Sequence, residues 1–141
     1  MSDLHTADVA SVTAVNTALY EAFETADVEQ MSAVWDDADP DALVCVHPGW
    51  PALRGRTQVL RSWSAVMATT DYVQFVLSDV HVAIEGDTAV VSCTENVLTS
   101  VADMQGGSVV ATNVFRRRPG GWRLVVHHGS PVLGELDAQT S

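Results

Sequence analysis

The chain has 141 residues, 47% hydrophobic and 18% charged, enough apolar material to close one core and too little charge for disorder. Seven positive residues against 18 negative give a net charge of −11, which argues against nucleic acid and anionic membrane as partners. No apolar run approaches the roughly 20 residues of a spanning helix, and the start Met1-Ser2-Asp3-Leu4-His5 lacks the basic stretch of a secretory signal, so a soluble cytoplasmic domain is expected.

From Val9 the apolar positions Val9, Val12, Val15, Leu19 and Phe23 recur at three- and four-residue steps, which predicts an amphipathic helix of about four turns. A shorter helix is expected from Asp27, which has capping-box spacing to Gln30 ahead of Met31, Val34 and Trp35. The acidic run from Asp36 to Pro40 stops it. Leu43 to Val46 form a short buried-strand pattern, broken by Pro48, Gly49 and Pro51. After Gly55, Val59, Leu60, Trp63, Val66 and Met67 share one face of a third helix.

Beyond Tyr72 the period changes to two. Turns at Glu85-Gly86-Asp87, Gly106-Gly107 and Pro119-Gly120-Gly121 predict strands near residues 72–84, 88–99, 108–118 and 122–129. Hairpin-linked strands make a twisted antiparallel sheet, and helices set apart from it give an α+β fold with the helices covering one face. A single domain over residues 1–133 is expected, followed by a frayed polar tail at 134–141.

Charge is uneven along the chain. Ten acids and no lysine or arginine precede Arg54, whereas all seven arginines follow Leu53 beside eight acids. The acidic part reads as a solvated face, and Arg116, Arg117 and Arg118, at a hairpin turn, as solvated charge. Cys45 and Cys93 have no metal-ligand or redox spacing and read as small buried residues.

The order helix, helix, strand, helix, four strands is carried by CVHPGWPALRG (45–55), AVVSCTENV (89–97) and ATNVFRRRPGGWRLVVHHGSP (111–131). It resembles the SnoaL-like members of the nuclear transport factor 2-like superfamily over about residues 8 to 133. The last stretch is also similar to the C-terminal strands of the calcium/calmodulin-dependent kinase association domain. The resemblance implies a cystatin-like cone, a curved antiparallel sheet packed on three N-terminal helices, and a homodimer joined through the outer sheet face. It does not fix an activity, because this scaffold serves isomerases, polyketide cyclases, dehydratases, epoxide hydrolases and non-catalytic assembly modules alike. In the kinase association domain, cations at positions matching Glu95, Asn113 and Gly129 hold a small carboxylate. An acid, an amide and a glycine in their place imply a neutral or cationic ligand instead.

A curved sheet over helices leaves a cavity on its concave side, reached from alternate strand positions. The row Ala89, Val91, Cys93, Glu95, Val97 is apolar except for Glu95, and the row Val109, Ala111, Asn113, Phe115 except for Asn113. On the last strand, strict alternation sets Val125 and His127 against Trp122, Leu124, Val126 and His128. A carboxyl in an apolar cavity has a raised pKa and exchanges protons near neutrality, so Glu95 is the candidate general base or acid. A purely structural, hydrogen-bonded Glu95 is the other reading. His127 is the candidate acid/base partner, and Asn113 either polarises a ligand carbonyl or satisfies Glu95.

Candidates for ligand contact are His47 and Trp50 at the cavity rim, Trp63, His128 and Tyr20. Tyr20 lies one position off the apolar line of its helix and is placed to aim its hydroxyl inward, as a tyrosine does in the ketosteroid isomerases. Trp63, with Trp35 and Phe23, lies on an apolar helix face, where core packing is the plain alternative. His127 and His128 are adjacent and on a regular strand point to opposite faces, so only one lines the cavity. His47, Glu95 and either histidine have the side-chain types for zinc or iron but no preorganising spacing, so no metal and no cofactor are expected. The expectation is a small, largely neutral ligand in an apolar cavity, undergoing cofactor-free isomerisation, cyclisation or dehydration. A non-catalytic ligand-binding or dimerising module is the alternative.

Overall fold

The computed structural model describes residues 2–99 and 107–133. Helix α1 (Ser2–Glu24) begins well before Val9 and buries Val12, Leu19, Tyr20 and Ala22 beneath the sheet. Asp27 caps α2 (Val28–Val34), its carboxylate accepting from the Gln30 N–H at 3.0 Å. The return half of the expected capping box is absent. The Gln30 side chain donates instead to the Ala18 carbonyl at 3.3 Å, tying α2 to α1. A 3₁₀ turn (Pro40–Ala42) leads to the short strands β1 (Val44–Val46) and β2 (Leu53–Arg54), and then to α3 (Arg56–Ala68), which buries Val59, Ser62, Trp63 and Met67.

Four long strands follow, β3 (Gln74–Glu85), β4 (Thr88–Leu98), β5 (Ser108–Arg118) and β6 (Gly121–Pro131), in one sheet of order β2-β1-β6-β5-β4-β3. The long strands are antiparallel, as their turn spacing requires. β1 adds to β6 in parallel, a pairing that hairpin spacing cannot reveal, and sets Cys45 opposite His127. The second predicted turn, from Gly106, and the tail 134–141 lie outside the described residues.

Two irregularities bend the sheet. In β3 the register shifts between Ser78 and His81, with Asp79 at φ +53. In β6, Val126 faces Val114 while Leu124 faces Phe115, leaving Val125 as an extra residue. That bulge corrects the strict alternation expected for the last strand, because Trp122, Leu124 and His127 are all buried and Val125 is not part of the His127 row. The rows on β4 and β5 keep their parity, with Ala89, Val91, Cys93 and Glu95, then Ala111, Asn113 and Phe115, all buried.

The arginines near the last hairpin are not merely solvated. Arg118 donates twice to the fully buried Asp36 carboxylate, at 2.8 and 2.9 Å. Arg117 makes a two-pronged pair with Asp8, reaches Asp87 and lies 4.5 Å over the Trp122 ring. Among the described residues no helix is long and apolar enough to cross a membrane.

Candidate functional site

A cavity of about 330 Å³ opens within the cone. Its walls are largely apolar, from Phe23 on α1, Trp63 on α3, Val73, Phe75 on β3, Val97 on β4 and Val109 on β5. Its titratable lining comes from Tyr20, His47, Glu95 and His127.

Strand register explains how these groups meet. Asn113 stands directly opposite His127 across β5 and β6 and opposite Val91 on β4, while Glu95 lies further along β4 on the same face. Tyr20, from α1, bridges them. Its hydroxyl donates to Glu95 Oε2 at 2.6 Å and accepts from Asn113 Nδ2 at 3.2 Å. Asn113 Nδ2 also donates to Asn16 Oδ1 at 2.8 Å. With both amide protons of Asn113 thus committed, its Oδ1 must accept, and the partner is His127 Nδ1 at 2.6 Å. His127 is therefore the Nδ1–H tautomer, and every proton along the chain His127–Asn113–Tyr20–Glu95 points towards the carboxylate. Glu95 Oε1 and His127 Nε2 have no hydrogen-bond partner among the described residues.

Burial sets the electrostatics. Glu95 is 4% exposed, and loss of water pushes its carboxyl up to about 7, with the Tyr20 hydrogen bond pulling the other way. The Tyr20 phenol is itself raised, by burial and then by the neighbouring Glu95 charge. Burial, with His47 and His128 nearby, drives His127 down to about 3, and burial drives His47 down to about 4. Both imidazoles are neutral at neutral pH. Burial also lifts the Cys45 thiol to about 12, so it is no thiolate nucleophile.

A second tautomer is fixed on α3. Ser62 Oγ and the Val59 carbonyl oxygen are 2.6 Å apart, a separation that requires the hydroxyl proton between them. Ser62 Oγ must then accept from His47 Nε2, 2.9 Å away. His47 is the Nε2–H tautomer, and its Nδ1 has no partner among the described residues. The Trp63 ring packs against both imidazoles, with centroids 4.6 Å from His47 and 5.7 Å from His127.

Of the candidates named from sequence, Glu95, Tyr20, His47, Trp63 and His127 line the cavity together. Three do not. Asn113 is fully buried with its amide oxygen and both amide protons in use, so it has nothing left to polarise a ligand carbonyl. His128 is exposed on the opposite sheet face, because the bulge at Val125 turns His127 inward. Trp50 is 44% exposed and packs edge-on against His47, off the cavity wall. Sequence reasoning missed Asn16 and Ser62. Asn16 was legible as a polar residue four positions from both Val12 and Tyr20, on a helix face that must be buried, whereas Ser62 carries no such signal.

Three helices beneath a curved six-stranded sheet define a class, the nuclear transport factor 2-like fold. The SnoaL-like domain family matches residues 12–134, and the chain belongs to that family. A solved structure from Streptomyces avermitilis, proposed to be a dehydratase of the nuclear transport factor 2-like family, is 52% identical, with a TM-score of 0.85 over 91% of this chain and 98% of that one. A proposed calcium/calmodulin-dependent protein kinase type II association domain from Thiobacillus denitrificans is 32% identical, with a TM-score of 0.75 over 85% of this chain and 94% of that one. The F-box protein SKIP8 of Arabidopsis thaliana is 25% identical over 123 residues, 87% of this chain, which spans about half the length of that curated relative.

Proposed function

We propose that the domain binds a small, largely neutral organic molecule in this cavity and moves a proton on it without a cofactor. The observation that carries the reading is the Glu95 carboxyl, poised at about 7 in an apolar hollow, with one oxygen held by Tyr20 and the other unpartnered among the described residues. Among the described lining residues none is lysine or arginine, so an anionic ligand has no counter-charge, and at position 129 an added Cβ would come within 3.2 Å of both Val109 and Pro48.

Ionised Glu95 takes a proton from carbon next to a carbonyl, where the C–H electron pair is delocalised into that carbonyl. Returning the proton at another carbon is isomerisation. Passing it to a β-hydroxyl as the C–O bond breaks releases water and leaves a C=C bond. The 52% identity to the proposed dehydratase favours the second outcome. His127, held neutral as an Nδ1–H tautomer, orients the ligand rather than carrying the proton.

A carbon-acid probe tests this without knowledge of the natural substrate. Exchange of the α-protons of 2-tetralone for deuterium, followed by NMR, is expected to be accelerated by the wild-type protein and reduced about a hundredfold or more by Glu95→Gln. Equal rates in the two proteins would favour a non-catalytic binding module.

The outer sheet face supports pairing of two copies. Val76, Val90 and Val110 are exposed there, and Ser92, Thr94 and Thr112 between them are uncharged in a chain of net charge −11. Sedimentation is expected to give twice the chain mass for the wild type and a monomer for Val110→Glu; a monomeric wild type would contradict it.

A further inference from the structure

The strongest unassigned feature is the identity of the atoms that the two histidines offer. Each is fixed by a hydrogen bond on its far side. Ser62, its own proton committed to the Val59 carbonyl, takes the His47 Nε2–H, and Asn113, its amide protons committed to Asn16 and Tyr20, takes the His127 Nδ1–H. Neither anchoring group can reverse without leaving a buried oxygen facing an oxygen or a donor facing a donor. What the two imidazoles leave for a ligand is His47 Nδ1 and His127 Nε2, both acceptors. Glu95 Oε1 joins them as an acceptor whenever the carboxyl is ionised.

We propose that the cavity selects its ligand by hydrogen-bond donors, with the lone pairs of His47 Nδ1 and His127 Nε2 receiving two hydroxyl groups on an otherwise apolar ring. The ligand class is a neutral dihydroxylated or enolisable ring compound, its apolar body against Phe23, Phe75 and Trp63. Ethers and non-enolisable ketones of the same shape lose both bonds and leave both imidazole lone pairs buried and unpaired. The inference rests on the ligand-cavity reading and sharpens it, because it names the polarity that the ligand must present.

Three matched probes separate the two ideas. Naphthoresorcinol offers two hydroxyl donors, its dimethyl ether offers only acceptors, and naphthalene offers neither. Calorimetry with the full chain is expected to show naphthoresorcinol binding about tenfold or more tighter than its dimethyl ether, since two hydrogen bonds contribute about 1–3 kcal/mol. Equal affinity for all three overturns the donor rule and leaves the apolar cavity standing. No binding of any probe at millimolar concentration overturns both. A second measurement needs no ligand and no variant, namely the imidazole ¹⁵N shifts of the free protein at neutral pH. Nε2–H for His47 and Nδ1–H for His127 are expected, and the opposite tautomer at either ring overturns the proposal.

Discussion

At Glu95, the ionisation that the proposed function needs and the stability of the fold pull in opposite directions. The folded protein holds this proton up to about pH 7, whereas the unfolded chain loses it near the ordinary value of 4.5. Its contribution to stability is therefore fully present below about 4.5 and lost as pH rises through 7, a swing of about 3 kcal/mol at most. Gln keeps the acceptor for Tyr20 and never ionises. In urea denaturation, Glu95→Gln is expected to match the wild type at pH 4 and to exceed it by about 1–3 kcal/mol at pH 8. No pH dependence of the difference would mean that the carboxyl is not desolvated. The sequence made Glu95 visible as the one acid in an apolar row. It could not reveal that Asn113 is spent, because that depends on Asn16, 97 residues away on a helix whose rotation no periodicity fixes.

Among the elements, a two-pronged ion pair with a fully buried carboxylate joins the segment after α2 to the end of β5. Burial alone pushes the Asp36 carboxyl up, but Arg118 and the Asp39 and Ala38 backbone N–H groups more than offset it and hold it below the usual range. Arg118→Met removes the counter-charge while Asp36 stays fully buried, and a loss of about 3 kcal/mol is expected by thermal or chemical denaturation. The double variant with Asp36→Asn should recover part of it, and a neutral Arg118→Met would show the pair to be dispensable. Three arginines in a row at a turn look solvated because sequence shows only their neighbours, and Asp36 arrives from 82 residues away. Strands β3 to β6 were legible from period and turn residues to within a few positions. The bulge at Val125 was not, since Trp122 to His128 is uniformly apolar or imidazole apart from Arg123 and gives no cue to where alternation slips.

For the whole molecule, the split between an acidic N-terminal part and an arginine-bearing remainder is a complementarity that folding joins. Asp8 and Asp36 meet Arg117 and Arg118, while most of the acids before Arg54 remain exposed, so the reading of a solvated acidic face holds for those and fails for Asp36. The cone follows from bulged strands curving over amphipathic helices, and its hollow is what desolvates Glu95 and raises its carboxyl. The most direct measurement is the titration of Glu95 by carboxyl ¹³C NMR in the free protein. A midpoint near 7 is expected. A midpoint near the unperturbed 4.5 would contradict the desolvated cavity and the proton transfer built on it.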